Sequence, residues 1–257
     1  MSEIHNSAIV SPKAELADDV IVGPNAIIED NVVIGSGSRI GANTLIASGA
    51  RLGAKVSVHH GAVVGSVPQD LKFAGEETTA VVGDGTVVRE YATINRGTVD
   101  RGETKIGEGC LLMAYSHVAH DCLIGDHVIM ANSVNLAGHI EIGDYAILGG
   151  VLPVHQFVKI GAHAMIGGGF RVPQDICPYA LAGGYPLRIA GLNLVGLRRR
   201  GFSRDAIKRL QKVFKILFFS ELNTTQAVER INAEIEPGEE VATVLDFVAA
   251  SERGLVK

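Results

Sequence analysis

Residues 122–166 read CLIGDHVIMANSVNLAGHIEIGDYAILGGVLPVHQFVKIGAHAMI, and an apolar residue stands at every sixth position from Ile124 to Ile166. The same phase runs from Ile4 to Val172 with few exceptions. A period of six fits neither an α-helix nor an isolated strand, whose side-chain periods are 3.6 and 2.0. It suits short strands joined by regular corners, stacked as a solenoid with one side chain of each strand pointing inward. Three strands in each coil would give a triangular prism that repeats every 18 residues.

The exceptions to the period lie in two polar stretches, SVPQDLKFAGEE and RGTVDRGE, which contain Asp70, Glu76 and Asp100 at the expected apolar slots. Their composition is typical of loops. We therefore predict a parallel β-helix over residues 1–186, with loop insertions at about 66–80 and 97–105.

The hexads stop after Val172, and the spacing of apolar residues becomes helical. Ser203 can cap a first helix, a second helix begins near Thr224 and ends before Pro237, and a third includes Val241. Residues 187–257 are thus predicted to form an α-helical C-terminal domain.

The composition limits the cellular setting of the chain. It has 257 residues, no Trp, and no basic leader followed by an apolar run. We expect a cytoplasmic protein without an integral membrane segment. Three cysteines without CxxC spacing indicate buried, reduced thiols.

The net charge of −5 conceals a basic region between residues 187 and 215, where Asp205 is the single acidic residue. Such a region indicates either an anionic partner or a solvated helix face.

An 18-residue coil brings several polar residues into one strip. The predicted columns and their neighbours are His120 with Gly138 and Gln156, Asp121 with His139 and Phe157, His155 beside Gln156, and His117 on the preceding strand. Imidazoles, a carboxylate and a bare glycine are the ingredients of acid–base catalysis. Three imidazoles could instead bind zinc and leave one position for water, as in carbonic anhydrases built on this kind of β-helix.

Six segments carry a more specific resemblance: SHVAHDC (116–122), NLAGH (135–139), VHQF (154–157), PQDLKFAGE (68–76), INRGT (94–98) and NLVGLRRRGFS (193–203). In this order they resemble the UDP-N-acetylglucosamine acyltransferases, hexapeptide-repeat enzymes that act first in lipid A biosynthesis. The resemblance implies a left-handed β-helix. It also implies transfer of a fatty acyl group, expected to be 3-hydroxylated, from acyl carrier protein to the 3-position of a UDP-linked N-acetylglucosamine.

The resemblance also assigns roles to residues. His120 is implied as general base, Asp121 as its orienting partner, and Gly138 as donor of a backbone N–H to the oxyanion. Gly168 is implied to limit the length of the acyl chain. The implied substrate-binding residues are Gln69, Asp70, Lys72, His117, His139, His155, Gln156, Asn193, Arg199 and Arg200.

The family resemblance further implies a homotrimer that uses acyl carrier protein and a UDP-sugar, with neither nucleic acid nor a cofactor or metal. Asn95 and Val195 depart from the residues common in relatives, so contacts to uridine are expected to differ. Phe170 and Arg171 are larger than expected beside Gly168.

Alternative functions remain open at the level of sequence. A 3-amino sugar could replace the hydroxyl acceptor. The N-acyltransferase of the same pathway carries a uridine-binding domain before its β-helix, whereas the hexads here begin at Ile4. An ice-binding or scaffolding β-helix would need flat arrays of threonine, which the sequence lacks.

Overall fold

The computed structural model describes residues 3–257, and short parallel strands dominate it. In chain order the strands are β1 (Glu3–Ile4), β2 (Ile9–Val10), β3 (Glu15–Leu16), β4 (Ile21–Val22), β5 (Ile27–Ile28), β6 (Val33–Ile34), β7 (Arg39–Ile40), β8 (Leu45–Ile46), β9 (Ala50–Leu52), β10 (Ser57–Val58), β11 (Val63–Ser66), β12 (Thr79–Val82), β13 (Val87–Val88), β14 (Thr93–Asn95), β15 (Glu103–Ile106), β16 (Leu111–Leu112), β17 (His117–Val118), β18 (Leu123–Ile124), β19 (Ile129–Met130), β20 (Val134–Leu136), β21 (Glu141–Ile142), β22 (Ile147–Leu148), β23 (Leu152–Val154), β24 (Lys159–Ile160), β25 (Met165–Ile166), β26 (Ala180–Gly183) and β27 (Arg188–Leu192).

Every third strand joins the same sheet, so the chain winds around a prism with three faces. Face A contains β1 and each third strand up to β25, face B runs from β2 to β23, and face C from β3 to β24. Regular coils repeat at the predicted spacing, because His117 pairs with Asn135 and Asn135 pairs with Pro153.

Apolar residues at the hexad positions fill the interior, and Ile28, Ile94, Leu112 and Leu148 are among the largest side chains that are fully buried. Ile4 in the first coil is 43% exposed because only one neighbouring coil covers it. The side chain that each strand sends inward thus builds a continuous apolar column along the prism axis.

The three edges of the prism are formed by tight corners with left-handed backbone angles. At the B–C edge these corner residues include Asp121 (φ 60°), His139 (φ 61°) and Phe157 (φ 64°). Positive φ is uncommon outside glycine, and Asp and His tolerate it better than most residues.

Both inserted loops leave the prism at this same B–C edge. Residues 67–78 connect β11 on face B with β12 on face C, and residues 96–102 connect β14 with β15 in the same way. The pairing of Thr93 with His117 instead of a residue 18 positions away shows that the second loop adds six residues to its coil.

The chain continues after the last coil as an antiparallel β26–β27 hairpin and four helices. The helices are α1 (Leu194–Arg199), α2 (Arg204–Phe218), α3 (Thr224–Glu234) and α4 (Glu239–Ala249). Helices α2, α3 and α4 follow the predicted pattern, and the Ser203 hydroxyl caps α2 by accepting from the Ala206 N–H. The hairpin strand β27 lies in the range for which only helices were predicted. Among the described residues, no helix combines the length and apolar character needed to cross a membrane.

Candidate active site

The predicted histidine strip lies on the B–C edge, where three successive coils turn. The His139 N–H donates to the His120 carbonyl at 3.1 Å, and the Phe157 N–H donates to the Gly138 carbonyl at 3.2 Å. These bonds stack the coils in register, which confirms the predicted columns.

His120 and Asp121 form a tightly hydrogen-bonded pair. The distance from His120 Nδ1 to Asp121 Oδ2 is 2.7 Å, with His120 only 8% exposed and Asp121 completely buried. An ionised carboxylate can only accept hydrogen bonds, so Nδ1 carries the proton and Nε2 keeps its lone pair. Within residues 3–257, Nε2 has no hydrogen-bond partner and is free to accept a proton.

Two threonines hold Asp121. Its carboxylate accepts from the Thr98 N–H at 2.9 Å and from the Thr98 hydroxyl at 2.6 Å, and its own N–H donates to the Thr104 hydroxyl. Burial acts to raise the pKa of Asp121, but the hydrogen bonds from Thr98 and His120 outweigh it and the pKa is lowered. The carboxylate is therefore ionised at neutral pH.

Gly138 packs directly against the imidazole of His120. A Cβ at this position would lie 2.6 Å from His120 Cε1 and 2.8 Å from Nε2, closer than real side chains allow. The Gly138 N–H donates to no acceptor within residues 3–257, although the flanking Ala137 and His139 N–H groups both do. The site thus contains an unused backbone donor beside the free imidazole nitrogen.

His139 and His117 flank the pair. The His139 ring lies edge-on to His120 with centroids 5.1 Å apart and stacks on Phe157 at 4.7 Å. Burial lowers the pKa of His139 and that of His117, and proximity to His120 lowers both further. His117 Nδ1 lies 2.7 Å from the Thr93 hydroxyl. Neutral rings near the base avoid placing further positive charge beside it.

One group of side chains has ligand atoms close enough together to hold a metal ion. The ligand atoms of His120, Asp121 and His139 lie within 4.8 Å of one another. This group differs from the three imidazoles of the zinc alternative. Both carboxylate oxygens of Asp121 already accept hydrogen bonds from Thr98 or His120.

The loop after β11 contains Gln69, Asp70 and Lys72, of which Gln69 and Lys72 are exposed. Asp70 Oδ1 accepts from the Lys72 N–H at 3.0 Å, which folds the loop locally. Asn95, at the end of β14, is 2% exposed and donates to the Val67 carbonyl. This hydrogen bond holds the first residue of the loop in place.

The predicted nucleotide residues lie elsewhere in the chain. The guanidinium carbon of Arg200 lies over the Tyr145 ring, 5.0 Å from its centroid. Arg200 also donates to the Tyr145 carbonyl, which belongs to a corner of the C–A edge. Asn193 is buried, caps α1 and donates to the His163 carbonyl at 3.0 Å on the same edge. Arg199 is exposed on α1. One whole face of the prism separates these residues from His120.

The remaining predicted residues lie on the B–C edge, near the A–B edge and on α1. His155 is exposed and Gln156 is half-buried on the B–C edge. Gly168 is exposed near the A–B edge, where a Cβ would lie 2.8 Å from the Gly150 carbonyl oxygen of the coil below. Val195 is 61% exposed on α1.

No sequence motif predicted a functional role for Thr98, Thr104 or Thr93. The only signal was that Thr98 ends the INRGT segment at the start of a loop. Its contact with Asp121 depends on the path of that loop, which no period describes.

Two family models match the chain. One is described as Udp N-acetylglucosamine O-acyltransferase, Domain 2, and matches residues 175–256. The other is described as Bacterial transferase hexapeptide (six repeats) and matches residues 103–138.

Full-length relatives agree with these models. The acyl-[acyl-carrier-protein]--UDP-N-acetylglucosamine O-acyltransferase of Trichlorobacter lovleyi is 55% identical, with 99% of each chain covered. The solved UDP-N-acetylglucosamine acyltransferase of Bacteroides fragilis superposes with a TM-score of 0.97 at 43% identity, covering 99% of this chain and 100% of that one. The UDP-N-acetylglucosamine O-acyltransferase of Moraxella catarrhalis gives 0.96 at 39% identity, with 99% of each chain covered.

These likenesses confirm the predicted fold class, a left-handed parallel β-helix followed by C-terminal helices. The names of the relatives specify O-acyl transfer and give no support to a zinc-dependent enzyme or to an amino-sugar acceptor.

Proposed function

The chain belongs to the UDP-N-acetylglucosamine O-acyltransferase family, and from this membership we propose an acyl transfer in which His120 is the general base. The enzyme transfers a fatty acyl group from acyl carrier protein to UDP-N-acetylglucosamine in lipid A biosynthesis. The observation that carries the proposed mechanism is the His120–Asp121 pair, because it leaves Nε2 of the imidazole unpaired beside an unused backbone donor.

The first step activates a sugar hydroxyl. Nε2 of His120 removes the proton of the 3-hydroxyl group while that oxygen attacks the carbonyl carbon of the thioester. The ionised carboxylate of Asp121 stabilises the imidazolium that forms and keeps the ring in the required tautomer. A hydroxyl is a weak nucleophile until a base takes its proton, which is why this pair is needed.

The second step breaks the thioester. The new carbon–oxygen bond leaves an oxyanion, which accepts a hydrogen bond from the Gly138 N–H. When the tetrahedral intermediate collapses, the carbon–sulfur bond breaks and the sulfur takes the proton from Nε2. Every proton and electron pair is accounted for by these groups, so we expect the reaction to need no cofactor or metal.

We infer that the active enzyme is a homotrimer with sites between its subunits. His120 lies on the B–C edge, whereas Arg199, Arg200 and Asn193 belong to the C–A side of the same chain. A second copy could bring its C–A edge to the first copy's B–C edge and complete one site. Exposed apolar corner residues also favour association, since Phe157 is 51% exposed beside His139.

The inserted loop with Gln69, Asp70 and Lys72 leaves the prism at the catalytic edge and is proposed to cover the sugar nucleotide. Four further residues are proposed to line the same cleft. His139, His155 and Gln156 lie along the B–C edge, and His117 lies on the adjoining strand β17 of face B.

Acyl carrier protein is proposed to bind near α2. Lys208, Lys212 and Lys215 are exposed on this helix and line a shallow surface depression together with Arg209. Arg209 is partly neutralised by Glu240, with a 2.6 Å contact, whereas Lys212 makes no ion pair within residues 3–257. This cationic surface suits an acidic partner.

Gly168 is proposed to limit the acyl chain. It lacks a side chain at a point where a Cβ would lie 2.8 Å from the Gly150 carbonyl oxygen of the coil below, so a larger residue would fit only if that coil shifted.

We infer a cytoplasmic location from the thiols. Cys110, Cys122 and Cys177 are all buried and unpaired, and burial raises the pKa of Cys122 to about 12. Proteins of reducing compartments commonly carry such thiols.

One experiment tests the proposed function. The purified protein is incubated with a mixture of acyl carrier protein thioesters and with either the 3-hydroxy or the 3-amino form of the UDP-sugar, and the products are identified by mass spectrometry. We expect an O-acylated product from the hydroxyl acceptor. His120→Ala should lower kcat by about 10²- to 10⁴-fold with the fold intact. Activity of this variant near that of the wild type would show that His120 is not the base, and an N-acylated product alone would identify an amine acceptor.

Sedimentation tests the subunit arrangement separately. A species three times the mass of the 27.1 kDa chain is expected. A monomer with full activity would contradict shared sites.

A further inference from the structure

The second inserted loop leaves the prism directly below the catalytic pair, and none of its residues takes part in the proton transfers described above. We propose that Thr98 in this loop is a positioning residue that fixes the carboxylate plane of Asp121 and through it the tautomer of His120. The inference rests on the proposed function, because it assigns Thr98 to the same reaction.

Thr98 provides two of the three hydrogen bonds that the Asp121 carboxylate accepts. Its N–H donates to Oδ1 at 2.9 Å and its hydroxyl donates to Oδ2 at 2.6 Å. The third comes from His120 Nδ1, also to Oδ2. Thr98 is 6% exposed and Asp121 is completely buried, so solvent does not compete strongly for these bonds.

The two donors of Thr98 act as a fork. The terminal torsion of an aspartate side chain is broad and roughly two-fold, so one hydrogen bond would not fix the plane of the carboxylate. Donation to both oxygens fixes this plane and directs Oδ2 towards His120 Nδ1. Without the hydroxyl, the loop holds the carboxylate only through the Thr98 N–H at Oδ1, and Oδ2 is held by His120 alone. The carboxylate then orients the imidazole less strictly, and the ring can move its proton to Nε2, where a base needs a lone pair.

Thr98 is held firmly from the opposite side. The Gly102 N–H donates to the Thr98 carbonyl at 2.7 Å, which closes the loop on itself. The preceding Gly97 donates to the Thr79 carbonyl at 3.0 Å, and its own carbonyl accepts from the Thr78 hydroxyl at 2.6 Å. Thr78 is the last residue of the first inserted loop, and Thr79 begins β12. The end of that loop therefore supports the start of the second, and the second supports Asp121.

Charged and titratable groups near the pair do not replace Thr98. His139 Nε2 lies 3.7 Å from Asp121 Oδ2 and equally far from Asp100, too long for a hydrogen bond. Arg101 pairs with Glu141 instead.

The test compares three substitutions with the wild type. Thr98→Val keeps the shape and the backbone N–H but removes the hydroxyl, and Thr98→Ser keeps both donors. Thr86→Val is the matched control. The Thr86 hydroxyl is fully buried, donates to the Gly107 carbonyl at 2.8 Å and accepts from the Cys110 N–H, so its loss costs similar stability away from the site. The readouts are kcat, KM for the UDP-sugar and the melting temperature.

We expect kcat of Thr98→Val to fall by about tenfold or more with little change in KM, because the base is mispositioned while the sugar still binds. Thr98→Ser should retain most of kcat. Thr86→Val should have a lower melting temperature with kcat and KM unchanged. If Thr98→Val is too unstable to purify, Thr98→Ala against Thr98→Ser gives the same contrast.

Two results would overturn the inference. One is a kcat for Thr98→Val within about twofold of the Thr86→Val value, which corresponds to a barrier change of under about half a kcal/mol. The other is a rise in KM alone. His120→Ala, assayed in parallel, separates the two proposals. An inactive His120→Ala with a fully active Thr98→Val refutes only the role of Thr98, whereas an active His120→Ala refutes the general base and the role of Thr98 together.

Discussion

Substitution of Gly138 by alanine tests whether the position of the imidazole limits the rate. The new Cβ would lie 2.6 Å from His120 Cε1. Carbon atoms pack at about 3.5 Å or more, so the ring must retreat by roughly 0.9 Å. The Gly138 backbone has ordinary angles that alanine adopts without strain. The clash with His120 is therefore the main consequence of the change.

A misplacement of about 1 Å at a reacting group can cost on the order of 10²-fold in rate, or about 2.7 kcal/mol of transition-state stabilisation. We expect kcat of Gly138→Ala to fall by that order while KM for both substrates changes little. Steady-state assays with acyl carrier protein thioester and UDP-N-acetylglucosamine measure both constants.

Gly23→Ala controls for crowding of the coils. Its Cβ would lie 3.0 Å from the Ala42 backbone nitrogen, far along the prism from His120. This variant should lose stability, by about 1–3 kcal/mol, without losing kcat. If Gly138→Ala has the same kcat as Gly23→Ala, the close approach of Gly138 to the imidazole does not affect the rate, and the reasoning is refuted.

Three further outcomes follow from the contacts. Asp121→Asn should lower kcat by about 10²- to 10⁴-fold. Because the folded-state pKa of Asp121 is lowered, the ionised carboxylate stabilises the wild type at neutral pH, and this stabilisation should vanish as acid protonates it. Denaturant titrations at several pH values measure the loss. Burial lowers the pKa of His163 to about 4, so only the unfolded state binds a proton between pH 6.5 and 4, and wild-type stability should fall by about 3 kcal/mol as the pH drops through this window. His163→Phe, which keeps the ring stack with Tyr145 and removes the unpaired buried Nδ1, should abolish that dependence, and an unchanged slope would refute this origin. Lys208→Glu combined with Lys212→Glu should raise KM for acyl carrier protein, most strongly at low salt, and leave the melting temperature unchanged.

The sequence predicted the β-helix because the signals for this fold are local. Each strand and corner is specified within six residues, and each coil packs only on its neighbours, so distant parts of the chain are not needed to form it. The same arithmetic aligned His120 with Gly138 and Asp121 with His139, since both pairs are separated by one regular coil.

Helix α2 was equally predictable, because its cap at Ser203 and its apolar spacing are local signals. The β26–β27 hairpin was missed. Its strands pair with β25 and with each other, and no hexad marks them.

The hexad period alone therefore establishes the coil, its length and the column of residues along each edge, because all three depend on backbone periodicity. Contacts in three dimensions were needed to show that both inserted loops leave the same edge and that Thr98 reaches back to Asp121. They also show that Arg200 lies one face away from His120, on the C–A edge. Loop paths and the packing of the C-terminal helices depend on contacts between residues far apart in the chain, and such contacts leave no period to read.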